Sequence, residues 1–308
     1  MNTRSLTLRT RFTAVSFTVA IALLAWGAFV TSINAGMAVP DWPTSFNSYD
    51  PFNPWPDWWT VTPVLAEHGH RLLGALVGFL TLILAGWTWV ADPRQWMRWT
   101  AVSALVLVVG QGVLGGLRVL YVSLDLAVVH ACVAQLFFAT LACMIVFTSR
   151  AWRTAPPGLG TATVDADNRL AQLRFLVPLA VYIQIIFGAL LRHPGTGIDT
   201  ALVILHLSWA FVAAAAVVGL WSVVRAAFAP GVPVRRLANA MASLLAFQVA
   251  LGIFAYFVLL DEQGMVMPSN VQVLTNSAHM VTGALLFAST VATSVLSSRT
   301  QFLSRSAS

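Results

Sequence analysis

Long apolar runs separated by short polar segments dominate the chain. They fall at about 12–34, 64–90, 100–118, 125–148, 173–192, 200–224, 237–260 and 273–297. A helix rises 1.5 Å per residue, so about 20 apolar residues cross the roughly 30 Å of bilayer hydrocarbon. Each run is therefore predicted to be a membrane-crossing helix. The third and fifth are the shortest and close with Arg118 and Arg192, which places both arginines at or near the interface. The first is too long for a signal-peptide core and has no small-residue cleavage site, so it reads as a retained helix.

Composition agrees. Mean hydropathy is +0.79, with 58% hydrophobic and 9% charged residues. A soluble domain carries about 25% charge, so this chain lacks the polar surface to stay in water. Its net charge of +6 does not make it a nucleic-acid binder, because the charges cluster at the ends of the apolar runs. There is no lysine, and all 17 basic residues are arginine. Arg4, Arg9, Arg11, Arg94, Arg98, Arg150, Arg153, Arg169, Arg174, Arg225, Arg235, Arg236, Arg299 and Arg305 fall on one side of the predicted membrane, with only Arg71, Arg118 and Arg192 on the other. The arginine-rich side is cytoplasmic by the positive-inside rule, so both termini are expected there, in a cell inner (cytoplasmic) membrane. Cys132 and Cys143 lie in one run, about 16 Å apart along a helix. That is too far for a disulfide, and both read as small core residues.

The longest outer segment, 35–63, is rich in proline and tryptophan and has no basic residue. It reads either as an interfacial aromatic belt or as a lid over a pocket in the outer half of the bundle. The inner segment 151–172 contains Pro156, Pro157, Gly158 and Gly160 and reads as a linker. The two sides of it echo each other. Gln111 and Gly115 lead through Arg118 and Asp125 to His130, and Gln184 and Gly188 lead through Arg192 and Asp199 to His206. Gln248 and Gly252 repeat the spacing. The fold class expected is all-α, with eight transmembrane helices arranged as two pseudo-symmetric four-helix bundles: 1–150, and 173–308 after the linker.

All six histidines lie toward the outer side. His193 reads as a loop residue, and His68, two residues before His70, faces roughly the opposite way on a helix. His70, His130, His206 and His279 instead fall one per even-numbered run, each about 7–10 Å inside its outer end. Imidazole in hydrocarbon is costly and marks function. Structural hydrogen bonding, a proton relay, one zinc or copper ion, and haem iron are the readings open. Two pairs on two halves suit two bis-histidine porphyrins best, since a flat macrocycle fits between antiparallel helices with one ligand from each. Arg71, Arg118 and Arg192 are then placed for propionates, against a plainer role as interfacial snorkelling residues. Glu67, three residues before His70, shares its helix face. It is either an acid paired with Arg71 or a group that takes protons or stabilises positive charge beside the macrocycle.

The run Glu67-His68-Gly69-His70-Arg71, with His130, His206 and His279 in register, resembles the haem A synthase family. The stretch Asn34-Ala-Gly-Met-Ala-Val-Pro-Asp-Trp-Pro43 after the first run resembles that family too. The resemblance implies oxidation of a ring methyl of haem O to a formyl group, giving haem A. It implies that His206 and His279 ligate a haem b cofactor in the second half, with Arg192 nearby, and that His70 and His130 face the substrate, with Arg71 and Arg118. Glu67 matches the motif's functional glutamate. The partners implied are a haem O synthase as donor, a terminal oxidase or its assembly factors, an electron acceptor and membrane lipid; nucleic acid is excluded and homo-oligomers are left open. Outer-loop cysteine pairs found in many bacterial members are lacking here. The alternative is a di-haem b electron-transfer protein without substrate chemistry.

Reporter fusions at residues 160 and 50 are expected to report opposite sides of the membrane. The same side for both would overturn the eight-helix register.

Overall fold

A computed structural model describes residues 3–154, 164–192, 199–261 and 268–305. His193, Glu262 and residues 155–163 of the predicted inner linker lie outside the described residues. Eight helices there are long and apolar enough to cross a membrane. They occupy Thr3–Ser32, Thr62–Ala91, Gln95–Leu120, Leu124–Thr148, Val164–Arg192, Thr200–Ala227, Pro233–Asp261 and Asn270–Arg305. They are called the first to eighth spans below. A single helical turn, Arg150–Arg153, follows the fourth. The chain is an all-helical, multi-pass membrane protein.

Each predicted run has its helix, the first run overreaching Ser32 by two residues, and most helices are longer than their runs. The third and fifth spans are full-length because residues 95–99 and 164–172, on the arginine-rich side, continue the helix before the apolar run begins. Helix is the only open-ended way to satisfy backbone groups in hydrocarbon, so it extends until a capping or breaking signal. Pro63 sits in the first turn of the second span, where a missing N–H costs nothing. The Asp199 carboxylate caps the sixth span, accepting from Ala201 N–H at 2.8 Å and Leu202 N–H at 3.2 Å. Arg118 and Arg192 stand in the last turns of the third and fifth spans, where a cation suits the helix dipole. The first span ends on Asn34 in the left-handed region (φ 54°), with Ala35 N–H donating back to Val30 at 2.9 Å.

The described chain divides into two compact units, one of residues 1–13, 138–247 and 283–308, the other of 14–137 and 248–282. The first has an apolar core around Val177, Val217, Leu220, Val224, Val234 and Met241. Polar bonds fasten it: Arg174 donates to Ser298 at 3.1 Å, and Arg299 to the Trp152 carbonyl at 2.9 Å. Elsewhere bulky apolar side chains stand exposed on the spans, Phe211 at 79% and Phe175 at 70%. A soluble protein would hide such surface; here lipid covers it.

The second unit holds the 33–61 segment, which is a built structure. Asp41 organises its turn, accepting from the Phe46 amide at 2.7 Å, the Asn47 amide at 2.8 Å and the Thr44 hydroxyl. His68 fastens the segment to the second span: its Nε2 lies 2.7 Å from the Pro51 carbonyl, and its ring packs on Trp58 at 5.0 Å. The Trp42 indole lies against Gly116 of the third span, so closely that a Cβ there would fall 2.7 Å from its Cε3.

Gly116→Ala is therefore expected to dislodge Trp42 and loosen this segment. Gly78→Ala, whose new methyl meets open space, should not. Chymotrypsin cleavage measures it, the segment having aromatic residues but no basic ones; equal rates would detach Trp42 from holding the loop. Acid should loosen it too. Burial raises the Asp41 pKa, but the bonds from Thr44, Asn47 and Phe46 outweigh it and hold the carboxyl below its ordinary 3.8. A folded value lowered in this way stabilises fully above 3.8, and the contribution is lost as pH falls below 3.8 through the folded value. Pepsin cleavage followed from about pH 5 to about pH 2 should rise over that window, and Asp41→Asn should abolish the dependence.

Candidate functional site

Four imidazoles repeat one packing relation. Each presents its Cε1–Nδ1 edge to a glycine on the preceding span. A Cβ on Gly27 would lie 2.9 Å from Cε1 of His70; on Gly115, 3.3 Å from that of His130; on Gly188, 3.2 Å from that of His206; and on Gly252, 3.0 Å from that of His279. An imidazole can come this close to a neighbouring backbone only where no side chain intervenes. Glutamine stands one turn before three of these glycines. The Gln184 amide nitrogen is 3.1 Å from Nδ1 and 3.2 Å from Nε2 of His206, and also donates to the His206 carbonyl at 3.1 Å. The Gln248 amide nitrogen is 3.2 Å from Nε2 of His279. The spacing Gln-x-x-x-Gly was legible as a repeat in the sequence. Gly27 was missed as its fourth copy because Leu23 stands where the glutamine would be.

Within the second unit, the residues predicted for the first site converge. His70 lies within electrostatic reach of His130, Arg118 and Arg71, and Arg118 within reach of Glu67. Glu67 is buried, 5% exposed. Its Oε1 accepts from Arg71 Nη2 at 2.8 Å and its Oε2 from the Val39 amide at 2.9 Å. Arg71 also donates to the carbonyls of Val39 at 2.9 Å, Asp41 at 2.7 Å and Thr44 at 3.1 Å. The guanidinium thus spends most of its fork on the outer segment rather than on open space. Arg118 reaches the same segment, donating to the Gly36 carbonyl at 3.1 Å. A Cβ at Gly36 would overlap its guanidinium. Nothing in the sequence signalled that both arginines bind backbone carbonyls of 36–44, since acceptors of that kind carry no side-chain signature.

The donor set fits an iron porphyrin. The buried Nδ1 of His70 has no hydrogen-bond partner, and each of the four rings sits in a cradle that a methyl group would fill. A haem asks of the protein only one or two axial donors. Among the described residues, no three His, Cys, Asp or Glu side chains gather as a compact metal centre. Arg192 ends the fifth span, which carries Gln184 and Gly188.

Comparison with known proteins gives a consistent family. Residues 10–201 match the model of the cytochrome oxidase assembly protein family. The chain is 27% identical over 175 residues to the haem A synthase of Geobacillus kaustophilus (strain HTA426), covering 56% of this chain and 52% of that protein. It is 27% identical over 176 residues to that of Shouchella clausii (strain KSM-K16), covering 56% and 55%. It is 30% identical over 184 residues to that of Symbiobacterium thermophilum, covering 57% of each. The matched stretch spans about half the length of these relatives. A family match that takes in the first five spans, with Glu67, His70, Arg71, Arg118 and His130 among the matched residues, places this chain in the cytochrome oxidase assembly protein family.

Proposed function

We propose that the protein is a haem A synthase, oxidising the ring methyl group of haem O to a formyl group by successive hydroxylations. The observation that carries this is the buried Glu67, held by Arg71 and the Val39 amide one turn before His70. The relatives named above, all haem A synthases, support the same reading. In it the first half, residues 1–150, takes the substrate between His70 and His130. The second half, 173–308, holds haem b through His206 and His279, and 151–172 links them. Bound haem b would supply one-electron redox chemistry. The protein lies in the cytoplasmic membrane with both termini inside. A haem O synthase supplies its substrate and a terminal oxidase or its assembly factors receive the product.

The chain's own residues then have defined work. His70 and His130 bind and orient the substrate macrocycle. Arg118 and Arg71 present positive charge on the outer side, where propionates lie. Converting a methyl to a formyl group with one water releases four electrons and four protons, the electrons to an acceptor and the protons inside a low-dielectric bundle. Glu67, paired with Arg71 and pre-oriented by two hydrogen bonds, stabilises the electron-poor carbon or collects a proton. The segment 36–44, clamped by both arginines, keeps bulk water from that carboxylate.

Glu67→Gln keeps size and most hydrogen bonding but deletes charge. It is expected to leave the haem b spectrum intact while haem A formation falls about 10²-fold, with haem O or a hydroxylated form accumulating. Chromatography of extracted haems, normalised to haem b, measures it; an unchanged ratio of haem A to haem O would remove Glu67 from the chemistry.

His206→Ala or His279→Ala should strip haem b from the purified protein, whereas His130→Ala should chiefly impair substrate handling. Loss of haem b only on replacing His70 or His130 would invert the assignment of the halves. A protein that yields haem b alone, with no formyl or hydroxyl product in a host making haem O, would be an electron carrier instead.

A further inference from the structure

Three arginines of the first unit are linked through their partners at the edge of the hydrocarbon, where the apolar runs stop at 148, begin at 173 and stop at 297. Arg153 lies in the helical turn after the fourth span, Arg174 in the fifth span and Arg299 in the eighth. Arg299 Nε donates to the carbonyl of Trp152, the neighbour of Arg153, at 2.9 Å, and its guanidinium lies 5.5 Å from the Trp152 ring. Arg174 Nη1 donates to the hydroxyl of Ser298, the neighbour of Arg299, at 3.1 Å. Arg153 donates to the carbonyls of Ser149 at 3.2 Å and Thr148 at 3.3 Å. Every one of these acceptors is neutral, so three positive charges stand together and no carboxylate among the described residues pairs with any of them. Arg174 Nε is buried and has no hydrogen-bond partner. On the arginine-rich side of the second unit, by contrast, the chain supplies its own anion: Arg94 donates to the Asp92 carboxylate at 2.9 Å and 2.8 Å. Charge this close to hydrocarbon calls for a counter-ion, and the cluster in the first unit leaves that place to another molecule.

Apolar surface borders the same charges. The Arg174 guanidinium lies 5.3 Å from the Phe175 ring, and that of Arg299 lies 5.3 Å from the Phe302 ring. The two phenylalanines are 70% and 60% exposed. A free phosphate would use the guanidinia and leave the rings bare. A phospholipid uses both, because its phosphate oxygens suit the planar arginine fork and its acyl chains cover the rings. A zwitterionic headgroup brings a cation of its own into the cluster, whereas an anionic one does not, and basic clefts between spans favour anionic lipid for that reason. We propose that Arg153, Arg174 and Arg299 bind the phosphate of an anionic phospholipid whose acyl chains lie along Phe175 and Phe302. The lipid supplies the counter-ion that joins the ends of the fourth, fifth and eighth spans.

The test uses the full-length protein purified in detergent, with bound lipid counted by native mass spectrometry and the thermal midpoint read with and without each probe. Phosphatidylglycerol should stay bound and raise the midpoint. Phosphatidylcholine with the same acyl chains should do neither, and inorganic phosphate should not reproduce the rise. Equal retention of the two lipids would overturn the proposal. A rise with phosphate that matches the lipid's would overturn it too, by making the cluster a free-anion site. Arg174→Gln and Arg299→Gln should each lower phosphatidylglycerol retention about 5-fold, the weight of one such cation near a lipid surface; unchanged retention in both would remove the cluster from lipid binding. Arg236→Gln takes a charge from the arginine-rich side outside this linked set, its guanidinium donating to the Gly231 carbonyl, and should leave retention unchanged. An equal fall there would make the effect one of net charge, with no site behind it. Where a glutamine variant does not fold, the comparison of the three probes on the unaltered chain decides alone.

Discussion

An imidazole inside a bilayer must be given its space by a neighbouring helix, and everything at this site depends on how that is done. A polar ring exposed to lipid is expensive, and a ring walled in by large side chains cannot receive a ligand. Glycine on the preceding span resolves both: the backbone comes within van der Waals contact of the ring edge, and no side chain intrudes. The same relation at Gly27, Gly115, Gly188 and Gly252 means that helix approach and ligand placement are a single constraint. A methyl group at any of these positions would push on a histidine before it pushed on anything else.

The second constraint is electrostatic. Glu67 is 5% exposed, and removing one member of a buried ion pair costs about 3–5 kcal/mol. Arg71 meets that demand, but Glu67 takes only one of its bonds; the rest go to three carbonyls between Val39 and Thr44. Folding of the outer segment and placement of the carboxylate are thereby tied together. The segment needs a cation to gather its carbonyls, and the cation needs an anion to be buried. The Val39 amide closes the circuit by donating to the second Glu67 oxygen. Pairing with Arg71 and service in catalysis were rival readings of Glu67 in the sequence. The geometry makes them compatible, because the pairing is what presents an oriented carboxylate beside His70.

How much was legible follows from the range of each signal. The spans were readable because apolar length is a local property, and their ends ran on where polar flanking residues such as 3–11, 95–99, 164–172 and 298–305 kept helical geometry outside the apolar run. The histidines were readable because their depth along a helix is arithmetic on residue number. The Gln-x-x-x-Gly spacing was visible too, but only as helix packing; that Gln184 and Gln248 touch histidines on the next span is a non-local fact. The outer segment was the least legible. Its proline and tryptophan content suited a belt or a lid equally, and the choice turns on where Arg71, Arg118 and His68 find acceptors. Those acceptors are backbone carbonyls, which every residue has.

The repeat also shows where the four histidine positions stopped being equivalent. Three residues before His130, His206 and His279 stand Ala127, Val203 and Asn276, none of them ionisable. Before His70 stands Glu67. One turn before the facing glycines stand Gln111, Gln184 and Gln248, and before Gly27 stands Leu23. Both departures fall on the same histidine. The leucine puts an apolar side chain where the other copies carry an amide, and the glutamate adds a buried carboxylate one turn before the ring. A set of four like sites needs no such coincidence if all four do the same work. In the haem A synthase reading, it is what results when one of the four positions carries a reaction that the others do not.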